Sequence, residues 1–167
     1  MQRIHGIVAG APPRVDLAGA KVLVEALLAA ISAGAVRSAH DCADGGLAVA
    51  LAESAMMERA HTTGAEIDLS VWERLPLRAL LFGEAQGRVI VSTPDQAAVL
   101  AIAARHGVTA RPIGTVRRSG VLDIRVGTRT IRAPLGRLID AYHEAIPRIM
   151  QRSASAQDVA LISDSVG

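Results

Sequence analysis

One cysteine, one tryptophan, one tyrosine and one phenylalanine are all that this chain of 167 residues contains of those types. A lone Cys42 excludes a disulfide framework and fits a reducing compartment. The shortage of aromatics leaves almost nothing on which bases could stack, so nucleic-acid binding is not expected. No uninterrupted apolar run is long enough to cross a bilayer, and no basic leader with an apolar core and cleavage site opens the chain. The expectation is a cytoplasmic protein with no membrane partner.

Other absences concern chemistry. There is no Gly-x-x-x-x-Gly-Lys-Ser/Thr phosphate loop, no Gly-x-Gly-x-x-Gly after a strand and no Gly-x-Ser-x-Gly elbow. Independent nucleotide hydrolysis and serine chemistry are therefore unsupported. His40-Asp41 alone does not make a metal phosphohydrolase, because His5, His61, His106 and His143 lie in unrelated contexts. Cys42 sits beside Asp41, whose charge opposes thiolate formation, so it reads as a small buried residue and not a nucleophile.

What is present is enough for one ordinary domain. Half the residues are hydrophobic (50%) and 20% are charged, the balance of a globular core. The formal charge is only +2, but Arg111, Arg117, Arg118, Arg125, Arg129, Arg132 and Arg137 crowd into one late segment. That cluster reads first as a solvated face, and second as a phosphate or subunit contact.

The stretch from Ser38 to Ser54 organises the rest. An extended run, Val36 to Ala39, feeds a polar turn with His40, Asp41 and Asp44, and Gly45-Gly46 then opens an Ala/Leu-rich helix to about Arg59, with Leu47, Ala50, Leu51 and Met57 on its apolar side. Glycines at a helix start leave N–H groups and the dipole available to an anion. His40, Asp41 and Asp44 suit a hydrated cation or a substrate hydroxyl. The competing reading is that Asp44 caps the helix and the glycines relieve strain.

Before this stretch, Asp16 is a predicted N-cap, with Leu17, Leu23, Val24, Leu27, Leu28 and Ile31 at helical spacing until Gly34. After it come a turn at His61-Thr62-Thr63-Gly64, a strand over Ala65 to Leu69 with Ile67 and Leu69 on one face, and a packing role for Trp72. Phe82 to Val91 joins a polar loop with Glu84, Gln86 and Arg88 to a β-branched strand. These three side chains suit a polar or phosphorylated ligand, or else a Glu–Arg pair closes the loop. Pro94-Asp95 starts a helix ending near His106-Gly107. Thr109 to Val116, Val121 to Val126 and Thr128 to Ala133 read as an antiparallel run of strands, with turns at Arg118-Ser119-Gly120 and Gly127, before a helix from Pro134 to about Ala145 that meets Pro147. The result is an α+β layered domain.

The run His40-Asp41-x-x-Asp44-Gly45-Gly46-Leu47-Ala48-Val49-Ala50-Leu51-Ala52-Glu53-Ser54 resembles the turn and helix in the last domain of phosphoribosylformylglycinamidine synthase. Pro12 to Leu17, Gly64 to Leu69, Leu80 to Val89, Ile113 to Val116 and Ala145 to Met150 are similar to the same family, in its order. The resemblance implies a layered mixed β-sheet covered by helices, as in the C-terminal domain of the aminoimidazole-ribonucleotide synthetase superfamily. It implies residues 1–15 as a connector from a missing preceding domain, 16–150 as the C-terminal synthetase-type domain and 151–167 as a flexible tail.

It further implies an ATP-dependent ligase of purine biosynthesis that uses Mg²⁺ and converts a formyl amide into an amidine with glutamine or ammonia as nitrogen donor. The isolated domain is expected to be inactive. Its partners would be N-terminal synthetase domains, a glutaminase subunit or domain and a ribonucleotide substrate. The site residues so implied are His40, Asp41, Asp44, Gly45, Gly46, Glu84, Gln86 and Arg88, with Asp41 and Asp44 as metal candidates and the catalytic residues unknown. The family has Glu-Ser-Gln where this chain has Glu84-Ala85-Gln86, so a hydroxyl is missing. The alternatives are a non-catalytic nucleotide-binding or interface module, and another synthetase of the superfamily.

Overall fold

The computed structural model describes residues 15–57 and 63–151. The connector proposed for the first residues, the predicted helix end at Arg59, the turn residues His61 and Thr62, and nearly all of the proposed tail lie outside them. Within the described residues the chain divides into two compact units. One takes in the residues up to Ser54 together with Arg74–Pro112; the other takes in those from Ala55 to Glu73 and from Ile113 onward.

The first unit opens with α1, Leu17–Ser32, where the Asp16 carboxylate accepts from Gly19 N–H at 3.0 Å and satisfies an otherwise unpaired donor. Gly34, at φ 68°, follows its end. The face that packs takes in only part of the predicted stripe, with Leu23 and Leu27 half-buried. Ala26 and Ala30 are buried, whereas Leu17, Val24, Leu28 and Ile31 are exposed. Small side chains allow close helix approach, and Ala29, Ala30, Ala35 and Val36 pack with Ala98, Val99 and Ile102 of α4, Gln96–Arg105. The Asp95 carboxylate caps α4 by accepting from Ala98 N–H at 2.9 Å.

A two-stranded antiparallel ribbon completes this unit: β1, Ser38–Asp41, against β3, Val89–Ser92. The predicted strand stopped at Ala39, but His40 pairs with Ile90 and Asp41 with Val89. The β-branched Val89-Ile90-Val91 run sets the ladder, and it draws the polar pair out of the turn and into the strand. Between the two strands lie α2, Gly46–Met56, and α3, Leu77–Phe82, which buries Leu80 and Leu81. In α2 it is Met56 and not Met57 that is buried.

The second unit is a four-stranded sheet in the order β4-β2-β5-β6, with β2 Gly64–Asp68, β4 Gly114–Arg117, β5 Val121–Val126 and β6 Arg129–Pro134. β4 is antiparallel and β5 parallel to β2. The Arg118–Gly120 turn is thus not a hairpin, contrary to the antiparallel run expected, because β2 lies between the strands it joins. Gly127, at φ 59°, makes the tight β5–β6 turn as predicted. Ile67, Leu69, Leu122, Ile124 and Val126 are buried, with Leu69 fully enclosed.

The opposite face of this sheet carries the ion pairs Arg117–Glu66, Arg125–Asp68 and Arg132–Asp123. α5, Leu135–His143, packs on β6 through the buried Leu135. The chain is helical again over 145–151, so Pro147 lies in a first helical turn, where its missing N–H is no loss. The architecture is α+β with a mixed sheet and packed helices. Among the described residues no helix is long and apolar enough to cross a membrane.

Candidate functional site

The predicted site residues converge within the first unit, where the β1–α2 turn meets the loop before β3. Gly45 N–H donates to the Glu84 carboxylate at 3.0 Å, across 39 positions of sequence. Cys42 N–H donates to the Arg88 carbonyl at 3.0 Å and carries the β1–β3 pairing one step further. The Arg88 guanidinium closes its own loop, donating to the carbonyls of Gly83 and Ala85. The loop is therefore closed by arginine on backbone oxygen instead of by the Glu84–Arg88 pair considered above.

The two glycines play different parts. Both have positive φ, 76° at Gly45 and 74° at Gly46, which only glycine adopts without strain. Gly46 is buried, and a Cβ there would lie 2.8 Å from the Gly83 oxygen and the Phe82 carbonyl carbon. It is a close-approach residue that lets the start of α2 meet the end of α3. Gly45 offers its amide outward, but the acceptor it meets is a carboxylate of the chain's own. The picture of unobstructed N–H groups is corrected to that extent.

His40 is held from both sides. A carbonyl can only accept, so Nδ1 donates to the Asp41 oxygen at 2.7 Å, while Nε2 lies 3.3 Å from Glu53 Oε2. Glu53 was not singled out from sequence. The available signal was helical spacing, since Gly46, Val49 and Glu53 follow one another along one side of α2. Asp41 Oδ1 is 3.7 Å from His40 Nδ1. Asp41, Asp44 and Gln86 are exposed, and Ala85 is exposed where the family has a serine.

Burial raises the Cys42 thiol above its ordinary pKa, with Arg88 opposing that effect and Asp41 adding to it. At 3% exposure it is a packing residue, as expected. Among the described residues no three His, Cys, Asp or Glu side chains come together as metal ligands. Asp41 and Asp44 are both exposed, and a protein group faces each ring nitrogen of His40.

The fold defines an α+β protein with a mixed sheet, whose glycine turn is tied to a polar loop. The family described as AIR synthase related protein, C-terminal domain, matches residues 1–127, and the chain belongs to it. The phosphoribosylformylglycinamidine synthase subunit PurL of Anaeromyxobacter sp. (strain K) is 35% identical over 90% of this chain, and that of Moorella thermoacetica 39% identical over 89%. The chain spans about 20% of the length of each. Among solved structures, T. maritima PurL complexed with FGAR matches with a TM-score of 0.61 and 27% identity, covering 74% of this chain and 21% of that one. T. maritima PurL complexed with AMPPCP matches at 0.56 and 27%, covering 70% and 21%. The structure of PurLQS from Thermotoga maritima matches at 0.58 and 26%, covering 80% and 23%.

Proposed function

We propose that this chain is the C-terminal domain of a phosphoribosylformylglycinamidine synthase, the ATP-dependent ligase that makes an amidine from formylglycinamide ribonucleotide in purine biosynthesis. The domain contributes one wall of a nucleotide or ribonucleotide pocket and is inactive alone. The observation that carries the reading is the Gly45–Glu84 hydrogen bond, which joins in one place the two segments that most resemble the family, His40–Gly46 and Glu84–Arg88. The likeness to PurL chains complexed with FGAR and AMPPCP supports the same substrate classes.

In the complete enzyme, ATP supplies activation of the formyl amide oxygen, and ammonia then replaces that oxygen. The part proposed for this chain is binding. Asp44 and Gln86 are exposed toward solvent beside the turn and can accept from or donate to ligand hydroxyls. Gly45 and Gly46 give the bend its shape, while Arg88 keeps the Gly83–Ala85 backbone in place. Mg²⁺ belongs to the complete enzyme, with Asp41 and Asp44 as the metal candidates proposed in this chain. The partners proposed are the N-terminal synthetase domains and a glutaminase, a reading supported by the likeness to the PurLQS chain. The compartment proposed is the cytoplasm.

The test is reconstitution. The isolated chain, given ATP, Mg²⁺, ammonia and formylglycinamide ribonucleotide, is expected to form no amidine, and a synthetase assembled with this domain is expected to turn over. Amidine formation by the chain alone would overturn the reading.

A further inference from the structure

His40 Nδ1 donates to the Asp41 carbonyl at 2.7 Å, and on the other side of the ring Nε2 faces Glu53 Oε2 at 3.3 Å. With a protein group at each ring nitrogen, His40 links the end of β1 to the flank of α2, on either side of the Asp41–Gly46 bend. The side chains of His40 and Glu53 are 22% and 27% exposed, so the contact is partly shielded from solvent and stronger than a freely solvated pair.

We propose that Glu53 is a positioning residue: acting through His40, it fixes the orientation of the Asp41–Gly46 turn. The turn has a second tether in Gly45 N–H to Glu84 and a third in Cys42 N–H to the Arg88 carbonyl, but both come from the loop before β3. Glu53 supplies the tether from α2, and without it the bend can pivot about the ribbon. What the bend binds rests on the function proposed above; that Glu53 orients it does not.

The experiment has one arm for each statement. In this chain, imidazole nitrogen NMR spectra at neutral pH should show His40 Nε2 bonded, and Glu53→Gln should shift that resonance. Amide exchange across Cys42–Gly46 should rise roughly tenfold in Glu53→Gln, while β2 and β5 keep wild-type rates. His40→Gln should give the same rise, and the double variant no further one, because the two residues act as a unit. In an assembled synthetase carrying this domain, Glu53→Gln should raise the apparent KM for ATP or for formylglycinamide ribonucleotide roughly tenfold, with kcat changed by less than about twofold. An unmoved His40 resonance or unchanged exchange would overturn the proposal, and faster exchange with both KM values unchanged would reduce Glu53 to a fold contact and overturn its positioning role. If the wild-type assembly forms no amidine, the function proposed above fails, and NMR with exchange still decides the positioning claim.

Discussion

The two units use their charged side chains in different ways. In the four-stranded sheet, acid meets base across neighbouring strands: Arg117 with Glu66, Arg125 with Asp68, Arg132 with Asp123. In the ribbon unit, Lys21 pairs with Glu25 along α1 and His40 faces Glu53, but around the β1–α2 turn polar side chains meet irregular backbone: Glu84 takes the Gly45 amide, Arg88 the Gly83 and Ala85 carbonyls, and His40 the Asp41 carbonyl. The sheet already has a ladder to set its geometry, so its exposed pairs add little and are screened by salt. The β1–α2 turn has no ladder of its own. There the side chains take the place of missing main-chain partners, and losing one alters shape as well as stability.

The sharpest test of that difference is Gly46→Ala. It forces a positive φ on a side-chain-bearing residue and drives a Cβ into Phe82 and Gly83, so a loss of ~3 kcal/mol is expected in urea unfolding. A loss below about 0.5 kcal/mol would mean that the α2–α3 approach is not tight. Next comes Glu84→Ala, which strips an acceptor from the Gly45 amide; at this exposed position about 1 kcal/mol is expected. Arg132→Ala and Arg117→Ala should cost less than about 0.5 kcal/mol each and nothing measurable in molar salt. If these surface pairs cost more than Glu84, the contrast between the units fails.

Two finer effects follow from protonation. In the sheet unit, the Ser70 hydroxyl and Ser70 N–H, with Arg125 beside them, hold the Asp68 carboxyl below its usual pKa. A depressed carboxyl contributes stability that is present above the unfolded-state value of about 3.9 and is lost as pH falls through the lower folded value. Asp68→Asn should therefore flatten the acid limb of stability against pH below roughly pH 4, read as the urea midpoint. In the ribbon unit, burial raises the Cys42 thiol, so alkylation of the native chain at mildly alkaline pH should be far slower than after unfolding.

What was legible in the sequence was local. Asp16 and Asp95 announced their helices, Gly34 and Gly107 followed them, and the alternation of Val121 to Val126 marked β5 with its own bounds. What was not legible depends on partners remote in the chain. Nothing near His40 says that Val89-Ile90-Val91 will draw it into a strand, and nothing near Arg118 says that β2 will separate β4 from β5. Hydrophobic spacing in α1 marked six positions, of which Leu23 and Leu27 are half-buried while Val24 and Leu28 are exposed; Ala30 packs on α4, where close approach favours small side chains. The site segments were found by resemblance, while the Glu84–Gly45 bond and the role of Glu53 needed coordinates.

The chain passes from one unit to the other and back, leaving the first after Ser54, returning at Arg74 and departing again after Pro112. No single scission between Ser54 and Ile113 can therefore release either unit with its partner also whole. During synthesis, β2 must wait for β5, whose residues emerge more than fifty positions later, before its parallel edge is covered. Split-protein fragments, circular permutants and truncations should be planned around all three crossings, instead of around a midpoint.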